Sequence, residues 1–373
     1  MNKFSLPRAT AIALAVAAIF CSSTSIAEED SKDKKLQAVE VVGTSPLPGL
    51  GIEKNKLPYD VQTVNEETLY RSKSLNVTEY MANNLTGVNI NEVQGSPFQA
   101  DITYRGFRLS SLLGSPQGLS VYLDGVRVNE PFGDVVNWDM IPEAAISNVT
   151  LVPGSNPVYG LNTLGGALAF TTKSGLTAPG TEVKLSAGSF MRMRGDVSYG
   201  SKSQDGWHNF ISATAFREDG WRRESEGQLG NAFVKIGRTQ GDVNWDVSLL
   251  VGRSNLLGNG LLPSYGYKAD GTRINGMYET DRRWAYTYID RTKNELNMLN
   301  FNLQRMLDTR TELATNLYVR QSDRRTSSGD LESATEGVIN YSNTHQTGYG
   351  GSVNLTKILD THQITTGASL DAS

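Results

Sequence analysis

The chain has 373 residues, more than one ordinary core encloses, so two or more structural units are expected. Lys plus Arg is 35 and Asp plus Glu is 39, a net charge of −4, which excludes a general nucleic-acid binder that needs a basic face for phosphates. One Cys and three His leave neither a disulfide framework nor a multi-ligand metal site. A mean hydropathy of −0.34 is too low for a helical membrane protein, while 38% hydrophobic residues are too many for a disordered chain.

Residues 1–27 read as a signal peptide. Lys3 and Arg8 precede an apolar run over 9–20, and Ser25-Ile26-Ala27 supplies small residues for cleavage after Ala27. The run makes about 18 Å of helix, short of the roughly 30 Å a bilayer core requires. Loss of Lys3 and Arg8 takes the net charge from −4 to −6, and loss of Cys21 leaves a chain without cysteine. No later stretch holds enough consecutive apolar residues for a helical span, which leaves a soluble exported protein or a barrel. Residues 28–56 read as a periplasmic tether. Within it Ala38, Val39, Glu40, Val41, Val42, Gly43 and Thr44 form a short β-prone run, set apart by Pro46 and Pro48. A lone strand has backbone groups free to join another protein's sheet edge; the alternative is the first strand of the domain behind it.

Residues 57–173 are predicted to form an α+β domain. A small helix is expected over 76–84, a strand at 121–123 meeting the turn Asp124-Gly125, and a strand of alternating apolar residues over 146–152. Gly154, Gly160, Gly165 and Gly166 cluster as turn residues, without the spacing of a phosphate-cradling loop. From residue 181 onward the pattern has period two. Strands are predicted over 182–189, 191–199, 210–216, 229–238, 243–249, 299–304, 313–320, 349–356 and 364–370, nine in all. Connections after the second, fourth, sixth and eighth are short, whereas 218–228, 254–292 and 324–346 are long. A membrane barrel has tight turns at one end and long loops at the other, an asymmetry that a soluble sandwich has no reason to show; the short first connection departs from it.

These residues carry a family resemblance. Tyr104-Arg105-Gly106-Phe107, then Val121-Tyr122-Leu123-Asp124-Gly125-Val126, then the segment from Ile146 through Gly154 and Ser155, then Tyr159-Gly160, Gly165-Gly166-Ala167-Leu168 and Thr171-Thr172-Lys173 resemble, in order, the plug signatures of TonB-dependent receptors, the ferric-siderophore and ferric-citrate receptors among them. The resemblance implies an α+β plug domain over 57–173, followed over 181–373 by antiparallel transmembrane β-barrel strands of a 22-stranded family barrel. It makes residues 38–44 the TonB box and Arg105, Gly106, Asp124, Gly125, Gly154, Gly160, Gly165 and Gly166 the plug signature. Only about 30 residues separate the cleavage site from the plug, too few for the N-terminal signalling domain some such receptors carry. Nine strands cannot enclose a plug of roughly 13 Å radius of gyration, and bacterial single-chain barrels have even strand numbers. The chain therefore reads as the N-terminal portion of a longer receptor, whether a partial record or a truncated product.

The function implied is energised uptake across the outer membrane, with TonB and its inner-membrane complex pulling on the plug and an iron chelate as the default cargo. Cobalamin, another metal chelate or an oligosaccharide are alternative cargoes, and a truncated decoy that engages TonB without transport is the alternative role. No catalytic set, cofactor or metal site can be assembled from three scattered histidines. By family topology, Arg108, Gln117, Asn129, Asp134 and Trp138 of the plug's outward loops, with Arg282, Arg283 and Trp284 of the long loop, are candidate ligand contacts. Tyr265, Tyr267, Tyr278 and Tyr286 stand beside them, and aromatics with arginine suit an anionic chelate. Arg105 is expected to tie the plug to carboxylates of the barrel wall; the alternative for the candidate contacts is that Trp and Tyr at strand ends form the interfacial girdle and the loop arginines are solvated.

Overall fold

The computed structural model describes residues 41–43, 46, 47, 49–155, 157–331 and 336–373. The expected signal peptide, most of the tether, and Ala38, Val39, Glu40 and Thr44 of the docking strand lie outside these residues. The remaining residues of that strand do not stand apart. β1 (Val41–Val42) pairs antiparallel with β2 (Ile52–Glu53), Val41 opposite Glu53 and Val42 opposite Ile52. Val42 is buried with Val61, Tyr122, Val152, Tyr159 and Ala167. The segment around Pro46 thus turns the chain back onto the domain instead of isolating the strand, because burying Val42 outweighs leaving it in water.

The plug follows. β3 (Gln62–Asn65) leads into α1 (Glu66–Ser72), and α2 (Val77–Asn84) starts where the sequence puts it. Both helices are N-capped by asparagine: the Asn65 side chain accepts from Thr68 N at 3.0 Å and Asn76 from Glu79 N at 2.8 Å. β4 (Val88–Asn91), β5 (Asp101–Tyr104) and β6 (Phe107–Ser110) form one antiparallel sheet. β7 (Leu119–Leu123), β8 (Val126–Arg127), β9 (Ile146–Pro153) and β10 (Gly166–Thr172) join β3 in a second, in the order β3-β9-β10-β7-β8, with β10 and β7 parallel. Period-two reasoning found β7 and β9 but not β4, β5 and β6, which are too short to show a period.

Two signature dipeptides are hairpin turns. Arg105 and Gly106 have φ of 49° and 88°, Asp124 and Gly125 have 46° and 87°, the type I′ values that join twisted strands through two residues. Gly166 serves differently: a Cβ there would lie 2.2 Å from the Val152 carbonyl oxygen, so only glycine lets β10 start beside β9.

Nine long strands make a single antiparallel sheet in chain order: β11 (Gly180–Ala187), β12 (Met193–Lys202), β13 (Trp207–Glu218), β14 (Gly227–Gln240), β15 (Val243–Leu257), then, past a short hairpin β16 (Tyr265–Tyr267) and β17 (Arg273–Asn275), β18 (Arg291–Asp308), β19 (Thr311–Leu331), β20 (Gly337–Ile358) and β21 (Gln363–Ala372). All nine strands of the sequence reading are present. The expected long connection over 324–346 is instead mostly strand, because β19 and β20 stay paired as far as Leu331 and Gly337. Polar residues occupy both faces there, so the apolar period vanishes while the ladder continues.

Alternation along each strand separates two rows. On β13, Trp207, Ile211 and Ala215 are exposed, and His208, Phe210, Ser212, Thr214 and Phe216 are buried, Phe210 and Phe216 in clusters shared with plug residues. Outward rows on neighbouring strands carry Val234, Leu249, Leu299, Val319 and Tyr349 in register, the apolar band of a membrane barrel. Trp207 and Trp245 meet edge to face at 5.6 Å near the short-turn end, where a membrane barrel places its aromatic girdle. Phe210, Phe233, Leu250, Leu296 and Met298 of the inward row join Leu119, Val121, Val149 and Trp138 in one core. The plug is therefore packed onto the wall, each such side chain contributing about 1.5–3 kcal/mol.

Candidate functional site

Three polar groups lock the plug to the wall. On the β7–β8 turn, Asp124 accepts from Thr172 N at 2.8 Å and from Thr172 Oγ1 at 2.5 Å, and pairs with Lys235 Nζ of β14 at 2.9 Å. Both ionic side chains are buried. In the second group Arg194 of β12 donates to Glu143 Oε2 at 2.7 Å and to the Leu75 carbonyl at 2.6 Å, while Asp196 holds its other face at 2.8 and 3.0 Å. Glu143 in turn accepts from Val77 N, the first amide of α2. In the third group β19 grips the plug loop beyond β8: Arg320 donates to the carbonyls of Arg127 and Asn129, Ser322 to Glu130, and Arg324 to Asn137 and the Ser111 carbonyl. Asp139 accepts from Ser254 and Asn294 of the wall, and burial pushes its carboxyl above the ordinary range.

Among the described residues Arg105 makes no tie to a wall carboxylate. At the tip of the β5–β6 turn Arg105 is exposed, and its guanidinium stacks on Tyr104 at 5.2 Å. In these three groups the polarity is reversed, cations coming from the wall and carboxylates and carbonyls from the plug, while Lys173 of the plug pairs in the expected sense with Glu182 of β11 at 3.2 Å. Arg194, Lys235, Arg320 and Arg324 went unnoticed in the sequence, yet it carries a signal for them, a charge at the strand parity opposite the lipid row.

The candidate ligand residues separate into three kinds. Trp138 is 1% exposed in the core, and the buried amide of Asn129 is committed to Val121 N at 2.7 Å and to the Leu119 and Asp134 carbonyls at 3.2 Å. These two hold the plug together rather than face a ligand; a Trp flanked by apolar Val135, Val136 and Met140 was a core residue. Asp134 pairs with Arg127 and accepts from Asn162, and Gln117 closes its own loop by accepting from Ser110 N at 2.8 Å. Arg108 is exposed on β6.

Arg282, Arg283 and Trp284 lie together in the long loop after α3 (Met277–Thr280). The Arg282 guanidinium stacks on Tyr278 at 4.5 Å, and the neighbouring loop's Arg223 stacks on Trp284 at 4.1 Å. Arg273 covers Tyr265 at 4.3 Å on the β16–β17 hairpin. Arg222 was missed: it donates to the carbonyls of Trp284, Gly260 and Asn259 at 2.8–3.3 Å and staples the loop after β13 to the loop after β15. The result is a surface of arginines and flat rings beyond the wall's core, suited to an anionic or aryl ligand.

The signature glycines close the plug's frame. Gly154 N donates to Gly165 O at 3.1 Å and Gly165 N to Gly118 O at 2.8 Å, while Gly160 follows Tyr159, whose hydroxyl donates to the Gly43 carbonyl at 3.3 Å. Burial pushes the Tyr159 hydroxyl up, so it keeps its proton and holds β1 in place.

Residues 53–167 match the family model described as TonB-dependent Receptor Plug Domain. No curated protein matches the chain in sequence. Among solved structures, the closed form of the ferric-catecholate import receptor Fiu of E. coli K12 is similar, with TM-score 0.70 and 13% identity over 89% of this chain and 48% of its own. The ferric preacinetobactin receptor BauA of Acinetobacter baumannii gives 0.69 and 12% over 89% and 49%. P. aeruginosa FpvA bound to heterologous pyoverdines gives 0.67 and 13% over 88% and 45%. The chain spans about half the length of the structures it matches. At these identities the likeness is one of fold, and it covers plug and strands together. The chain thus joins a TonB-dependent receptor plug domain to the N-terminal strands of the receptor barrel fold.

Proposed function

We propose that this chain is the plug-bearing front part of an outer-membrane transporter that takes up a scarce anionic chelate, a ferric siderophore being the cargo class that fits best, with TonB supplying the energy. The observation that carries this reading is the plug held against one face of the nine-stranded wall by polar locks, with an arginine and aromatic surface on the connecting loops beyond it. A plug fixed by buried ion pairs such as Lys235–Asp124 at 2.9 Å blocks free diffusion and yields only to work. The signal peptide over 1–27 would export the chain. The box over 38–44 would pair with TonB as an added strand, which requires Val41 and Val42 to leave β2 first. The matched receptors, named for ferric catecholate, ferric preacinetobactin and pyoverdines, support the cargo class.

Val41→Pro removes one backbone donor from the box. Cells producing this variant should lose growth on a ferric siderophore under iron limitation while still binding the labelled chelate at the surface. Unchanged growth would refute the box assignment, and loss of surface binding as well would refute the separation of docking from recognition.

A further inference from the structure

The segment behind β1 is held by the wall as well as by the plug. Glu312, the second residue of β19, accepts from Leu50 N at 2.5 Å, and Gln363, the first of β21, donates to the Leu50 carbonyl at 3.1 Å. Both lie beside the short turns that start their strands. Glu312 is 7% exposed, and a carboxylate so buried is costly unless a donor meets it; here a backbone amide of the tether does so. A Cβ on Gly49 would lie 3.0 Å from the same Glu312 oxygen, so glycine lets the chain pass this close.

Leu47 is buried and covers the Asp124-Gly125 turn, where a Cβ on Gly125 would lie 3.1 Å from Leu47 Cδ2. Beneath that cover Asp124 pairs with Lys235, and the Asp124 carbonyl accepts from Asn300 of β18 at 3.3 Å. Chain order sets the order in which a pull from the N-terminal side is felt. It reaches the two residue pairs of β1, then Leu47 on the turn, then Leu50 on the wall, and only afterwards β2 and the plug sheets. We propose that Glu312 and Gln363 are positioning residues for energised uptake, a mechanical stop that bears the load at Leu50 while Leu47 is lifted off the Asp124-Gly125 turn. The cover of the Lys235 lock is thus removed before the remainder of the plug is strained. A bond from an amide to a carboxylate is about twice as strong as a neutral one, so the pull meets its firmest hold at Leu50. The inference rests on the box reading of residues 38–44 for the point where force enters, and is independent of the cargo.

The receptor containing this chain, held in lipid nanodiscs, is drawn out on a force probe, once through a TonB C-terminal fragment and once through a covalent handle at Ala38→Cys. A resisting step should follow release of the β1 pairs by about 25 Å, the extended length of residues 43–49. Glu312→Leu with Gln363→Leu should shorten the dwell at that step about 10- to 100-fold under constant load. Glu312→Gln should keep most of the dwell, because its amide oxygen still accepts from Leu50, and Leu47→Ala should weaken only the resistance before the step. Absence of the step with the covalent handle, an unchanged dwell in the double leucine variant, a loss in Glu312→Gln as complete as in that variant, or loss of the step in Leu47→Ala would each overturn the stop. A step with the covalent handle but no hold by the TonB fragment would refute the box reading and leave the stop standing. Every variant should keep the heat-dependent electrophoretic shift of a folded barrel; its loss in the double leucine variant would make the pair structural and overturn the proposal.

Discussion

Asp124 and Lys235 show how much one buried pair can decide. Replacing Lys235 by Met leaves the Asp124 carboxylate buried with only the Thr172 amide and hydroxyl, and breaking a buried pair in this way costs about 3–5 kcal/mol. Lowered thermal stability and faster proteolysis of the plug should report it, and Asp124→Asn added to Lys235→Met should recover most of the loss. Asp139 adds a pH dependence. Its folded value is raised above the ordinary 3.8 by burial, so the native state binds the proton more readily than the unfolded one. The stability this contributes is fully present below the ordinary value and is lost as pH rises through the raised one. Asp139→Asn keeps acceptors for Ser254 and Asn294 and should flatten that part of the melting-temperature profile; an unchanged slope would move the titration to another group.

At the scale of elements, the docked β1 strand is held by two residue pairs, one buried valine and one hydroxyl. Tyr159→Phe deletes the hydroxyl bond to Gly43, worth about 0.5–1.5 kcal/mol. Binding of a TonB C-terminal fragment to the purified receptor should then tighten by about 2- to 10-fold if undocking precedes pairing. The strands themselves were legible where one face is apolar, as on β15, whose first half alternates without exception. They were illegible where both faces are polar, which is why the paired ends of β19 and β20 read as loop. Short plug strands such as β5 were recoverable only through their turn, Arg105-Gly106.

For the molecule as a whole, the sheet of nine strands leaves β11 and β21 each with one unpaired side among the described residues. In hydrocarbon such backbone groups cost several kcal/mol each, so both edges favour pairing with further strands. The species isolated from outer membranes should have a mass near twice the 40.6 kDa of this chain, measured intact; a mass matching residues 28–373 would favour the decoy role over transport.

The amino-acid sequence by itself determined the parts that depend on local repetition and turn chemistry: the nine period-two strands, the helix α2 and the Asp124-Gly125 turn of the plug. Their signals lie within a few neighbouring residues. Which side chains meet across the seam was decided only by tertiary structure, because Lys235 and Asp124, or Arg194 and Glu143, are separated by tens of residues or more and nothing local records their approach. The same holds for Trp138 and Asn129, whose types suit a ligand site but whose burial makes them structural, and for Val42, whose isolation in the sequence ends once the chain turns back and covers it.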